Sequence, residues 1–495
     1  MRCKKIGQAI LYLSTLGLIA CSVGPDYQQP AAPNTNQYTN RALPKNTMAT
    51  PNGKSAGQAQ TFTTAEQISQ NWWYLFHSKE INELVCEGLK NNYTLASAKA
   101  TLEQAQATLN AEFGTLMLPA INFGANASRN RNSAIQFGGN TVNRIFDLYS
   151  ATGELTYTID LWGKNRRTLE AYAAQVDYEL YELNGAYLSL TSNIVSTAIN
   201  IASLESQIKT TQNLIIDQQK ILTITKQQYK AGGIPYQNVL LQQTQLAQTQ
   251  ATLPPLQGAL AQQNHALSVL VGKPSSEQQL PVINLDKLTL PKNLPVTLPS
   301  SLVEQRPDIQ AASALAHAAS AEVGVAIANL LPNFTLTADY GYVSQMANTL
   351  FTKNNNVWSY GAGLTQPIFN GGALIYAEIA ARDAFKIAIA NYQEVVLYAF
   401  QNVADALTNI SIDAVTYNRD YQAANSAKKT FEVTSQQFKL GGVDYLSVLD
   451  SQQQYLETQL QLIKAQATRY SDTVALYQAL GGGWWNNGEQ ANVQY

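Results

Sequence analysis

Two periodicities divide the chain. Four stretches alternate apolar and polar residues. Ile121, Phe123, Ala125 and Ala127 alternate with Asn122, Gly124, Asn126 and Ser128; Leu155, Tyr157, Ile159 and Leu161 alternate with Glu154, Thr156, Thr158 and Asp160. Phe334, Leu336, Ala338, Tyr340 and Tyr342 alternate with Thr335, Thr337, Asp339 and Gly341, as do Trp358, Tyr360, Ala362 and Leu364 with Ser359, Gly361, Gly363 and Thr365. Period two predicts strands with one apolar face, each of about ten residues, the length of a membrane-barrel strand. A soluble sheet half packed on a core is the alternative. The other pattern is helical. No proline interrupts Asn165–Lys230 or Ala373–Leu440, stretches rich in Ala, Leu, Gln, Glu and Tyr. Without proline nothing removes an amide donor, so each predicts one helix of roughly 100 Å at about 1.5 Å per residue. Each ends at a glycine pair, Gly232-Gly233 or Gly441-Gly442, suited to the left-handed conformation that stops a helix. Return helices start near Tyr236 and Tyr445. Pro254-Pro255 breaks the first; in the second, Leu446, Leu449, Leu456, Leu460 and Ile463 fall on a heptad seam interrupted at Gln453.

The pattern is written twice. YKAGGIPYQNVLLQQTQ at Tyr229 recurs as FKLGGVDYLSVLDSQQQ at Phe438; the segments around Asn91, Pro119 and Tyr157 recur around Gln305, Pro332 and Leu364, at offsets of 207 to 214. Spacing this long indicates a duplicated domain rather than a solenoid. The expected organisation is a signal peptide at 1–20, a lipidated N-terminal tether at 21–80 and repeat 1 at 81–275 (helix, strand, strand, long helix, return helix). A linker at 276–300, repeat 2 at 301–485 and a C-terminal tail at 486–495 follow.

Composition narrows the class. Lys plus Arg is 32 and Asp plus Glu 34, a net charge of −2, which argues against nucleic acid as partner. Charged residues are only 13%, about half the usual share. Outside the N-terminus no run of ~18 apolar residues is apparent, so no later membrane-spanning helix is expected. The three cysteines, Cys3, Cys21 and Cys86, exclude a disulfide scaffold. His77, His265 and His317 are too scattered for a metal site. No nucleophile elbow, zinc-protease or phosphate-loop motif occurs, and no carboxylate pair suggests acid–base work; no enzyme activity and no cofactor are expected.

Residues 1–20 carry Arg2, Lys4 and Lys5 before a short apolar stretch, as a secretory signal does. Leu18-Ile19-Ala20-Cys21 resembles a bacterial lipobox, although Ile19 is larger than usual. This implies an S-diacylglycerol and an N-palmitoyl chain on Cys21. Ser22 favours the outer membrane. The prolines of 22–60 suggest an extended tether.

Four membrane strands cannot close a barrel, so chains must pool them: two give eight strands and a packed interior, three give twelve and a wet lumen. With this architecture the residues resemble a family. Cys21-Ser22-Val23-Gly24-Pro25-Asp26-Tyr27, Trp72-Trp73, Glu304 to Ile309, Leu331-Pro332, Gln366 to Phe369 and Tyr477 to Trp484 are similar to the TolC-type outer-membrane efflux channels, in the lipoprotein branch serving RND-type drug pumps. The resemblance implies an α+β membrane fold, internally duplicated. A homotrimer would form a 12-stranded outer-membrane β-barrel continuous with a periplasmic α-helical coiled-coil barrel. It implies passive conduction of drugs or other toxic small molecules from an inner-membrane pump and a periplasmic adaptor (a membrane fusion protein). A duct for type I protein secretion and a structural periplasmic coiled-coil lipoprotein are the alternatives. The resemblance also places the closed aperture just past the second turn, at Asp450, with Asp444 a second acidic position and Ser447 and Asn238 where relatives carry Asp. A ring of such carboxylates would favour cations; an ordinary solvated Asp450 is the bland alternative. Lys230, Gly232, Gly233, Lys439, Gly441 and Gly442 form the tips expected to contact the adaptor, though lysines there also complement the helix dipole. Arg306-Pro307-Asp308 reads as helix-start chemistry, Trp72, Trp73, Trp484 and Trp485 as packing anchors, and Asn130–Ser150 and Ser344–Val357 as extracellular loops.

Overall fold

The computed structural model describes residues 22–485, apart from 32, 34, 36, 41–43, 64–67, 133–143, 277–279 and 297–298. Cys21, the signal segment and the tail at 486–495 lie outside the described residues. The chain divides into two compact units: Met1–Pro30, Thr101–Leu180 and Ala311–Gln393 in the first, Ala31–Ala100, Tyr181–Gln310 and Glu394–Tyr495 in the second.

The helices are α1 (Lys79–Asn91), α2 (Tyr93–Met117), α3 (Lys164–Lys230), α4 (Tyr236–Ala251), α5 (Leu253–Leu270), α6 (Pro299–Gln305), α7 (Pro307–Ala328), α8 (Ala373–Lys439) and α9 (Tyr445–Ala479). The two proline-free stretches are single helices of 67 residues each, about 100 Å long. The return path after α3 breaks at Thr252, with proline in the first turn of α5, where its missing N–H costs nothing; α9 runs 35 residues unbroken.

The first unit holds a four-stranded antiparallel sheet, β2 (Ala120–Asn132), β3 (Arg144–Ile159), β5 (Asn333–Ser344) and β6 (Asn356–Thr365), in that spatial order. The register puts Ile121 opposite Leu155, Tyr157 opposite Leu336 and Phe334 opposite Leu364, so the apolar sets share one face. The other face carries Asn122, Glu154, Asp339 and Ser359, and Ser359 Oγ donates to Asp339 Oδ2 at 2.8 Å. β2 and β3 are 13 and 16 residues long. They run into the stretch expected as a loop, because ladder hydrogen bonds continue after the alternation that marks the apolar band has stopped. Asp160 caps α3, accepting from the Asn165 and Arg166 amides, both at 3.1 Å.

A clamp holds the first described residues of this unit. The nearly buried Arg167 side chain donates to Val23 O at 3.2 Å, Asp26 Oδ1 at 2.7 Å and Glu170 Oε2 at 2.7 Å. Tyr27 stacks on His317 with ring centroids 4.9 Å apart.

In the second unit Trp72, Trp73 and Phe76 are buried, and Trp72 stacks on Tyr477 at 5.3 Å. The short strands β1 (Thr61–Thr63) and β4 (Asn293–Pro295) pair in parallel. The segment around Thr47–Gln60 is no loose spacer. Its Thr47, Thr50, Ala56 and Gln60 are buried. Arg469 donates to the carbonyls of Ala56 and Gln58 and to Gln60 Oε1, and Tyr417 donates to Gly53 O at 2.7 Å. At the end of α9, Arg306 donates to Ala479 O at 3.1 Å and Ala399 O at 3.3 Å while gripping Asp308 through Nε and Nη2. Arg306-Pro307-Asp308 therefore ties three helices as well as starting one.

The expectation about apolar helices also needs correction. α7 is long and apolar enough to cross a membrane, with a mean hydropathy of 1.3, yet half of that window is buried in the protein. Its apolarity is alanine-rich, which suits close helix packing rather than lipid contact, and the broken runs of alanine concealed it.

Candidate functional site at the paired hairpin tips

The two glycine turns close by the same hydrogen bonds. Gly232 N donates to Tyr229 O and Gly233 N to Gln228 O, both at 2.9 Å; Gly441 N donates to Phe438 O at 3.0 Å and Gly442 N to Gln437 O at 2.9 Å. This pairing of the last two amides with the preceding helical turn is the Schellman stop. It needs one residue at positive φ, and Gly232 and Gly441 supply it at +74° and +78°. The next glycine in each pair has no such need. Lys230 and Lys439 are the final residues of α3 and α8, where a cation opposes the helix dipole favourably. Rings brace both turns: Tyr229 against Tyr236 and Phe438 against Tyr445, each pair with centroids 5.1 Å apart.

The hairpins differ at the start of their return helices. Pro235 begins α4 without a side-chain cap, whereas Asp444 begins α9 and accepts from the Ser447 amide at 2.9 Å. The Ser447 hydroxyl also donates to Asp444. These two donors hold the Asp444 carboxyl below the usual carboxylate range. Asp444 and Ser447 are thus bound to each other. Asp450 lies two turns along α9, exposed. Asn238 is half-buried, its amide donating to Pro235 O. The equivalent of Asp450 in the first hairpin is Leu241, so the acidic chemistry belongs to the second hairpin alone.

The hairpin interior is polar. Gln218 donates to Thr249 Oγ1 at 3.0 Å, Gln242 donates to Gln218 O at 3.2 Å, and Tyr445 donates its hydroxyl to Gln242 Oε1. Tyr445 joins the two return helices, and burial pushes its phenol up to about 12. The leucine heptad expected in α9 is displaced at the tip: Leu446 is exposed, and Tyr445, Val448, Leu449, Ser451 and Gln452 form the buried stripe. Leucine spacing alone does not mark Gln452 or Tyr445. The one signal for Tyr445 was its recurrence at Tyr236.

Against known proteins, the outer membrane efflux protein profile matches residues 84–273 and 298–482. The chain belongs to the outer membrane efflux protein family. It is 28% identical over 434 residues to the pyoverdine export outer membrane protein OpmQ of Pseudomonas putida, covering 86% of this chain and 91% of that protein. With the toluene efflux pump outer membrane protein TtgC of Pseudomonas putida it shares 27% over 503 residues, 98% of each chain. Its fold matches the outer-membrane channel OprN with a TM-score of 0.84 at 24% identity, over 94% of this chain and 100% of that one. As a family member this efflux protein is an outer-membrane exit duct whose chain extends into the periplasm. Among the described residues no group of three or more metal-ligating side chains comes together.

Proposed function

We propose that three copies of this efflux protein pool their sheets into one twelve-stranded barrel. The duct passively conducts drugs or other toxic small molecules that an RND-type inner-membrane pump delivers through a periplasmic adaptor. The observation that carries the trimer is the open sheet: β2 and β6 are its edge strands, each paired on one side and with no strand on the other among the described residues. In lipid an unpaired edge leaves amides unsatisfied, and four strands cannot close on themselves. Exposed Ile375, Tyr376, Ile379 and Ile387 on α8 support the same reading, since such apolar surface calls for a partner.

The cargo class follows the relatives, whose names include pyoverdine export and toluene efflux. The lipobox supports an anchor of S-diacylglycerol and an N-palmitoyl chain on Cys21. Adaptor contact falls at Lys230, Gly232, Gly233, Lys439, Gly441 and Gly442. Of the aperture residues, Asp450 is the one acid not already used as a helix cap, so three copies would give one carboxylate ring with a preference for cations. No catalysis is assigned.

The test places a photo-crosslinking residue at Lys439 in cells, with unheated electrophoresis of the product. A trimer band linked to an adaptor of a proton-driven drug pump supports the proposal. Capture of an adaptor from an ATP-driven protein exporter would transfer the function to protein secretion, and a monomer with no capture would sink both the trimer and the tip contact.

A further inference from the structure

The outward face of the sheet changes character at one end. From Phe334 to Tyr342 the face is apolar over eight residue steps, about 27 Å along the strand at ~3.4 Å each. Tilted by about 35–45° as barrel strands are, that covers roughly 20 Å of an apolar band of about 25 Å. Its upper limit is aromatic: Tyr340 lies opposite Trp358, and Trp358 stacks on Tyr360 with centroids 5.6 Å apart. Aromatic girdles mark the membrane–water boundary.

β2 continues past this girdle. Tyr342 is level with Ala151, which is paired with Ala125. Arg129 and Arg131 lie four and six residues further along the same strand, and the unbroken register keeps them on the face of Ile121 and Phe123. They therefore stand about 14 and 20 Å beyond the girdle along the strand, outside the hydrocarbon but turned toward the lipid. Arg129 is 76% exposed and makes one long ion pair, 3.8 Å to Asp147. Arg131 is exposed and sits opposite Ile145, with no ion-pair partner among the described residues.

We propose that Arg129 and Arg131 form a landing site for the phosphate groups of outer-leaflet lipid headgroups, on the membrane-facing side of the sheet just above its apolar band. Guanidinium groups bind phosphate bidentately, and basic residues beside a membrane span recruit anionic headgroups. The apolar strip beneath receives the acyl chains of the same molecule, so one lipid satisfies both halves of the face. This rests on the outer-membrane placement of the sheet, which the family gives.

The test is native mass spectrometry of the purified full-length protein in detergent with diphosphoryl lipid A. The comparison set is the same lipid with its phosphates removed, the single variant Arg131→Gln and the double variant Arg129→Gln/Arg131→Gln. The wild type is expected to retain the diphosphoryl lipid at least about tenfold better than the double variant, as loss of charged hydrogen bonds implies. It should retain the dephosphorylated lipid no better than the variant does. Equal retention of both lipids by the wild type overturns the proposal without any variant having to fold. So does equal retention by a double variant that assembles normally. Displacement of the lipid by millimolar inorganic phosphate would reassign the site to free phosphate and overturn its assignment to a lipid.

Discussion

Replacing Arg306 by Ala should loosen the end of α9. The guanidinium is almost fully buried and gives three sets of hydrogen bonds. Ala479 O closes α9, and no backbone amide among the described residues reaches it, so losing Arg306 strands a buried carbonyl at about 1–3 kcal/mol. Ala399 O lies inside α8 and keeps its helical bond, so its loss is smaller, roughly 1 kcal/mol. The Asp308 fork is half in water and adds little. A cavity where the arginine stem packed brings the sum to about 3–5 kcal/mol. Hydrogen exchange read by mass spectrometry on peptides covering Leu476–Gly483 measures this locally, without assuming two-state unfolding of a membrane protein. At about 1.4 kcal/mol per tenfold, exchange should quicken by roughly 100-fold or more where opening is local. Arg306→Lys, with a donor for one carbonyl, should recover part of that protection. Protection within threefold of wild type in Arg306→Ala would refute the accounting. Equal loss in Asp308→Asn would show that the fork, rather than the carbonyls, carries the effect.

Gly441→Ala should fray the second tip, because a left-handed residue with a Cβ costs about 1–2 kcal/mol, whereas Gly442→Ala should be near neutral; exchange at the Gly441 and Gly442 amides distinguishes them. Asp472 is pushed up to about 8 from 3.8 by burial and by the neighbouring Asp413 carboxyl. Between about pH 4 and 8 the unfolded chain releases this proton while the folded chain keeps it. Stability should therefore fall as pH rises through that window, and Asp472→Asn should flatten the profile, read as melting temperature from pH 5 to 9. Arg167→Met removes the donor to Val23, Asp26 and Glu170, so residues 22–27 should exchange and be cleaved faster in limited proteolysis while the sheet stays protected.

Local rules were enough for the framework. Alternation marks the strands and their apolar face because side chains on a strand project to opposite sides. Absence of proline marks the long helices because only proline removes the amide donor, and the recurrence of the glycine pairs shows that one plan is used twice. The tip glycines were legible for the same reason, since a helix stop is decided within six residues. Other features depended on residues far apart in the chain. The Thr47–Gln60 segment reads as a proline-rich spacer, yet Arg469, more than 400 residues later, turns it into part of the core. The seam of α9 reads as leucine until packing buries Tyr445 and Gln452 beside Leu449 and leaves Leu446 exposed. Periodicity records which face of an element is apolar. Only tertiary packing decides which stripe of that face meets a partner, because burial is set by what arrives from elsewhere in the chain.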